Sequence, residues 1–202
     1  QNTESDHNPA GVQTMRRQLQ IVILALMALC LLVVPVDAWQ DDFQSGTGYG
    51  WTKSGVGTVS IVHTPYLDTR ALQTRSPGGW DRSTIAYANP NQNFNYFAFT
   101  AVNCDGTKGA AYIRLYSDSG TLICTLQCTD CFSDQVSNRV EVIRNGPTAY
   151  LYCNGVLKRS ADCSGQPYNV GIEAYSTFDY PLSLRIDDVV IGGSEPNILG
   201  II

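Results

Sequence analysis

From residue 39 onward, apolar and polar residues alternate in short runs that are separated by Gly, Asn, Asp and Pro. A period of two is typical of strands with one buried face, and helical periodicity is nearly absent. The pattern predicts an all-β fold, a two-sheet antiparallel jelly-roll sandwich. The predicted strands are 58–62, 70–74, 83–88, 96–102, 110–116, 121–126, 139–144, 148–153, 156–159, 169–175 and 182–191.

The clearest hairpin signal covers residues 139–157, where two Asn-Gly steps separate three alternating segments. The steps at 145–146 and 154–155 supply the positive φ angles that tight hairpin turns require. Tyr150 is expected on one face of the middle strand and Leu151 on the other, because side chains alternate along a strand. The segment therefore predicts a three-stranded meander.

Residues 15–38 have the three parts of a secretion signal. Two arginines form a charged start, an apolar segment follows, and Ala38 ends a stretch of residues that a signal peptidase could cleave. We predict a signal-peptide helix that is removed before Trp39, so that N-terminal sequencing finds Trp39 first. The alternative is an uncleaved anchor helix.

The signal divides the chain into four expected segments. Residues 1–14 are polar and are interpreted as upstream or artificial sequence, and residues 15–38 are the signal peptide. Residues 39–193 suit a single β-sandwich in length. Residues 194–202 are a tail that could begin a linker or a membrane anchor outside the fold. We therefore expect a secreted or cell-surface protein.

Composition narrows the function classes. The chain has 13 Lys and Arg against 18 Asp and Glu, a net charge of −5, and no basic cluster after the signal is longer than Lys158-Arg159. A polyanion thus has no site to bind, so we expect no nucleic-acid partner.

Six of the seven cysteines lie after the signal. An even number in an exported domain favours disulfides over a metal site, because the 124–131 segment carries only half of a zinc-binding pattern. We predict a Cys153–Cys163 bridge around the turn at 154–155, with pairing of the remaining four cysteines left open: Cys104, Cys124, Cys128 and Cys131.

The segments 140–160, 168–176 and 184–193 together resemble the C-terminal half of a concanavalin A-like (laminin G-like) jelly-roll module, and residues 41–62 resemble its opening strand. The resemblance covers nearly all of residues 39–193. It implies the fold more than the function, because its motifs are structural.

Some enzymes of this fold class hydrolyse glycosides with two carboxylates on alternate positions of one strand. The resemblance would suggest a Glu-x-Asp-x-x-Glu strand, and the chain has none. No Gly-x-Ser-x-Gly elbow occurs either. We therefore expect no enzymatic activity and no catalytic residues, with a glycoside hydrolase-like enzyme as the third-ranked hypothesis.

Two aromatic clusters could carry glycan binding. Trp80 lies in a Gly-rich loop beside Asp81 and Arg82, a combination that suits stacking on a sugar ring and hydrogen bonding to its hydroxyls. Tyr175 and Tyr180 precede the last strand. The alternatives are a core lid for Trp80 and ordinary packing for the tyrosines.

Acidic residues near the two chain ends could hold calcium. Asp41 and Asp42 lie on the opening strand, Asp187 and Asp188 on the closing strand, and jelly rolls place these strands close together. We predict Asp42, Asp187 and Asp188 as ligands of a structural Ca²⁺, with strand-end capping as the alternative.

These observations favour a non-catalytic extracellular carbohydrate-binding or adhesion module whose partner is a glycan or another cell-surface polymer. The alternative is a structural unit of a cell envelope or surface assembly with no small ligand.

Overall fold

Two antiparallel sheets face each other in a computed structural model of the chain. The structure describes residues 38–193 apart from 47, 49, 65–68, 104–108, 133–135 and 178–179. The predicted signal peptide, the 194–202 tail and Cys104 lie outside the described residues. Within them, no helix is long and apolar enough to cross a membrane.

The described residues form strands that are joined by turns and by one 3₁₀ turn at Thr129–Cys131. The strands are β1 Trp39–Asp41, β2 Trp51–Gly55, β3 Thr58–Thr64, β4 Thr69–Ser76, β5 Arg82–Ala88, β6 Tyr96–Asn103, β7 Ala110–Tyr116, β8 Leu122–Gln127, β9 Asn138–Asn145, β10 Thr148–Cys153, β11 Val156–Asp162, β12 Asn169–Ser176 and β13 Leu182–Gly192.

One sheet has eight strands in the order β11-β10-β9-β6-β13-β4-β3, with β1 also paired to β13, and the other has five in the order β2-β5-β12-β7-β8. All these pairings are antiparallel. The predicted all-β two-sheet sandwich is confirmed.

The predicted meander is β9, β10 and β11. Its second turn has positive φ at both Asn154 (49°) and Gly155 (75°), as a two-residue hairpin turn requires. Its first turn has positive φ at Gly146 (60°), which is followed by Pro147. Leu151 is buried between the sheets, and Tyr150 lies on the outer side of β10.

The core lies between the inner faces of the sheets, as alternation demands. From the eight-stranded sheet it takes Phe97, Phe99 and Leu184, and from the five-stranded sheet Ile113 and Ile172, all fully or almost fully buried. Because these inward residues fill the core, every second residue of the five-stranded sheet is left on an outer face.

The predicted Cys153–Cys163 disulfide is wrong. Cys153 pairs with Val156 at the turn end of the β10–β11 hairpin, whereas Cys163 follows the Thr148–Asp162 pair at the opposite end. The six residues of β10 separate the ends by on the order of 17 Å, far beyond the roughly 7 Å between Cα atoms that a disulfide spans. Both cysteines are free thiols in the structure.

Candidate functional site: a tyrosine face on the five-stranded sheet

The outer face of the five-stranded sheet carries four tyrosines. They come from neighbouring strands, because the sheet order places β12 between β5 and β7. On β7 the buried Ala111, Ile113 and Leu115 alternate with half-buried residues that point outward. We call the following set the tyrosine face: Tyr87 of β5, Tyr112, Arg114 and Tyr116 of β7, and Glu173 and Tyr175 of β12.

An ion pair occupies the middle of the tyrosine face. Arg114 Nε donates to Glu173 Oε2 over 2.5 Å, and the side chains are 27% and 3% exposed. Burial acts to lower the pKa of Arg114, but the hydrogen bond and the charge of Glu173 outweigh it, so the pKa is raised. The guanidinium also lies 5.9 Å from the centre of the Tyr112 ring. The arrangement fixes two charges that largely cancel.

Tyr87 and Tyr116 meet across β12 on one side of this ion pair. Their ring centres are 5.3 Å apart and their hydroxyl oxygens 3.3 Å apart. Gly171 lies beneath them, paired with Tyr87 on one side, and a Cβ atom there would lie 3.3 Å from each ring. Burial, and then the hydrogen bond to Tyr87, raise the pKa of Tyr116, so its hydroxyl stays protonated.

A pocket of about 260 Å³ opens at this end of the tyrosine face. Its volume is below the roughly 300–1,000 Å³ that is typical of sites for drug-sized ligands. A pocket of this volume suits one small ring. Asn169 Oδ1 is buried in its wall and accepts no hydrogen bond from the residues that the structure describes. Most of the lining residues are polar or aromatic: Thr52, Tyr87, Asn89, Tyr116 and Asn169, together with Ala88 and Gly120.

The opposite end is built around Tyr175. Its ring centre lies 6.2 Å from that of Tyr112, and its hydroxyl donates to Asp81 Oδ1. This bond raises the pKa of Tyr175, because the carboxylate accepts from the protonated form. Asp81 belongs to the Gly-rich loop before β5, which also carries Trp80. Asn169 and Tyr175, at the two ends of β12, are six residues apart, a span on the order of 20 Å.

Similar solved structures share this sandwich. A sialidase matches with a TM-score of 0.59 and 12% identity over 78% of this chain, which corresponds to 18% of the sialidase chain. The cellulose-induced protein Cip1 matches with a TM-score of 0.57 and 13% identity, over 77% of this chain and 97% of the Cip1 chain. A Bacillus licheniformis β-glucanase matches with a TM-score of 0.51 and 10% identity, over 78% of this chain and 98% of the glucanase chain. The fold is a concanavalin A-like jelly roll. No protein-family model and no curated protein sequence matches the chain.

The jelly roll brings the predicted glycan-binding residues to one end of the tyrosine face. Tyr175 is part of the face, Asp81 is bonded to it, and Arg82 is paired with Ser176 at the start of β5. Ser176 Oγ in turn donates to the backbone carbonyl of Tyr180. Trp80 is 68% exposed, so the interpretation of this side chain as a core lid is wrong.

The acidic residues of the predicted calcium site are engaged within the jelly roll itself. Asp42 Oδ1 accepts from the Gln44 backbone N–H, and Asp187 Oδ1 from that of Asp188. Asp187 is 3% exposed. In the described part of the chain, no three His, Cys, Asp or Glu side chains form a group that could hold a metal ion. These residues therefore fit the capping role, and calcium binding stays a prediction.

Sequence reasoning missed most of the tyrosine face. Tyr112, Arg114 and Tyr116 alternate with apolar residues along β7, so their outward direction was readable from the sequence. Tyr87 and Asn169 lie far from β7 in the chain, and only the strand order brings them together.

Proposed function

We propose that this jelly roll is a non-catalytic carbohydrate-binding module of a secreted or cell-surface protein, and that a glycan chain lies along the tyrosine face. The observation that carries the proposal is the pocket beside Tyr87 and Tyr116, in which the side-chain oxygen of Asn169 is buried without a donor among the described residues. Buried polar atoms almost always have a partner, and a sugar hydroxyl is a donor of suitable size.

The rest of the tyrosine face supports a chain of sugars rather than a single one. Phenol rings offer flat apolar area for pyranose faces together with a hydroxyl that can hydrogen-bond. Four of them are spread along the roughly 20 Å from Asn169 to Tyr175, and the exposed Trp80 extends the row. Because Arg114 and Glu173 largely cancel in charge, the middle of the face suits a neutral polysaccharide.

Binding is favoured over hydrolysis by the carboxylates of the face. Glycoside hydrolysis uses two carboxyl groups about 5–10 Å apart on either side of the bond that breaks. Among the outward positions of the described five strands, Glu173 is the one carboxylate, and it is held by Arg114. An enzymatic role would therefore need a second acid from outside these strands.

The test is retention of the purified chain on a panel of insoluble polysaccharides and on a glycan array. Tyr112→Ala and Trp80→Ala should each weaken retention at least about tenfold, the effect of losing roughly 1.4 kcal/mol of contact energy. Trp80→Ala should also leave the free energy of unfolding within about 0.5 kcal/mol, because the side chain is exposed.

Tyr150→Ala is the matched control, since Tyr150 is a half-buried tyrosine on the outer face of the other sheet. It should bind like the unchanged protein. An array without signal, with and without calcium, would contradict the proposal and favour a structural unit with no small ligand. Equal losses for Tyr112→Ala and Tyr150→Ala would show that the tyrosine face is not the site.

A further inference from the structure

Buried cysteines line the edge of the sandwich where β8 of the five-stranded sheet faces β11 of the other. All five described cysteines have their side chains buried as thiols. Inward packing accounts for burial, because cysteine behaves as a small apolar residue. It does not account for their arrangement in pairs that come from distant parts of the chain.

The first pair is Cys124 and Cys163. Cys124 lies on β8, opposite Leu115, and Cys163 follows β11 in the other sheet. The chain after Cys163 packs directly on β8, since a Cβ atom on Gly165 would lie 2.9 Å from Ile123 Cγ2. The pKa of Cys124 is raised and that of Cys163 is lowered, in both cases chiefly because the two thiols are neighbours.

The second pair is Cys131 and Cys153. Asn138 Nδ2 donates to the Cys131 carbonyl over 2.8 Å, and Asn154 Nδ2 donates to Asn138 Oδ1 over 2.8 Å. Asn154 directly follows Cys153, so the side chains of Asn138 and Asn154 connect the Cys131 carbonyl to the residue next to Cys153. Burial, and then the neighbouring Cys153 thiol, raise the pKa of Cys131. Cys128 is fully buried beside this pair.

We propose that the mature protein carries two disulfides, Cys124–Cys163 and Cys131–Cys153. Each forms when a thiolate attacks a disulfide oxidant, such as oxidised glutathione or a protein disulfide of the export pathway, and the second thiolate then displaces the carrier. Two protein thiols lose two protons and two electrons, and the oxidant is reduced to two thiols. The inference is independent of glycan binding.

The Cys124–Cys163 bond joins the two sheets. Cys124 is in the five-stranded sheet and Cys163 lies at the end of the edge strand β11 of the eight-stranded sheet. The bond therefore closes the sandwich on the side where the hydrogen-bonded ladders end. Cys131–Cys153 fixes the segment between β8 and β9 to the same edge.

The test is peptide mapping by mass spectrometry of the full chain, oxidised with a glutathione redox mixture and digested at low pH without reductant. Peptides that link Cys124 to Cys163 and Cys131 to Cys153 are expected. A Cys153–Cys163 peptide, a link within the 124–131 segment, or complete alkylation of all the cysteines after oxidation would overturn the inference.

Single substitutions give a second readout, in which alkylation in denaturant identifies the cysteine that has lost its partner. After the same oxidation, Cys163→Ser should leave Cys124 as the new thiol that is alkylated in denaturant, and Cys153→Ser should leave Cys131. Cys128→Ser is the matched control and should free none of these four. Release of Cys131 or Cys153 by Cys128→Ser would overturn the second pair.

Discussion

At the scale of single residues, the tyrosine face depends on one buried charge. Glu173 is 2% exposed, and carboxylates are rarely buried without a partner. Arg114 supplies that partner over 2.5 Å and is itself packed against Tyr112. The pair thus holds two side chains of the face in fixed positions.

Glu173→Gln should destabilise the protein by about 1–3 kcal/mol. The substitution keeps the shape but leaves the Arg114 cation without its counter-charge, and loss of one partner of a buried pair is costly, less so here because Arg114 is partly exposed. Urea unfolding measures the change. Arg159→Ala is the control, because the Arg159–Asp130 contact is exposed and 3.8 Å long, and it should change stability by less than about 1 kcal/mol. Equal effects would contradict this account.

At the scale of strands, alternation predicted most of the fold. The predicted strands correspond to β3–β13, because apolar residues with a period of two mark a half-buried strand wherever they occur. The short β1 and β2 were not predicted as separate strands. The predicted bridge conflicted with the predicted turn: a two-residue turn at 154–155 pairs Cys153 with Val156 and moves Cys163 to the opposite end of the hairpin, as the observed register shows.

The candidate site was predicted at one end only. The loop with Trp80 and Asp81 could be singled out from the sequence, because it places a Trp beside glycines. In the structure this loop contacts the tyrosine face, since Asp81 accepts a hydrogen bond from Tyr175. The pocket end could not be predicted, because it needs β12 to lie between β5 and β7. That order is set by packing across the whole sandwich, and no local pattern encodes it.

Gly171→Ala tests how closely the three strands fit. The added Cβ would lie 2.8 Å from Ile85 Cγ2 and 3.3 Å from the Tyr87 and Tyr116 rings, so a neighbour must move. We expect a loss of about 1–2 kcal/mol in the free energy of unfolding, typical of overpacking. Ile85→Ala removes the closest group, so the double variant should lose less than the two single variants together. Strictly additive losses would show that Gly171 is not constrained by this contact.

At the scale of the whole molecule, the two sheets are held together by a shared apolar core and by any covalent bond between their edges. Among the described strands, ladder hydrogen bonds connect neighbours within each sheet and not strands of different sheets, as the two separate strand orders show. The Cys124–Cys163 pair lies where β8 and β11 end these ladders, so a bond there would connect the sheets covalently. Its effect should therefore appear in global unfolding and not in the tyrosine face, whose tyrosines lie on β5, β7 and β12.

Reduction should lower the global stability by several kcal/mol while the tyrosine face is retained. The two proposed bonds close loops of about 20 and 40 residues, and restricting such loops in the unfolded chain contributes about 3–4 kcal/mol each in the chain-entropy model.

Trp39 and Trp51 are packed 5.9 Å apart in the sandwich, so their fluorescence reports unfolding in guanidinium. The midpoint should fall on addition of reductant, and it should fall in part for Cys163→Ser, which lacks one bond. Reductant should then have a smaller effect on Cys163→Ser than on the unchanged protein. An unchanged midpoint after complete reduction, verified by alkylation, would contradict the cross-linking of the sheets.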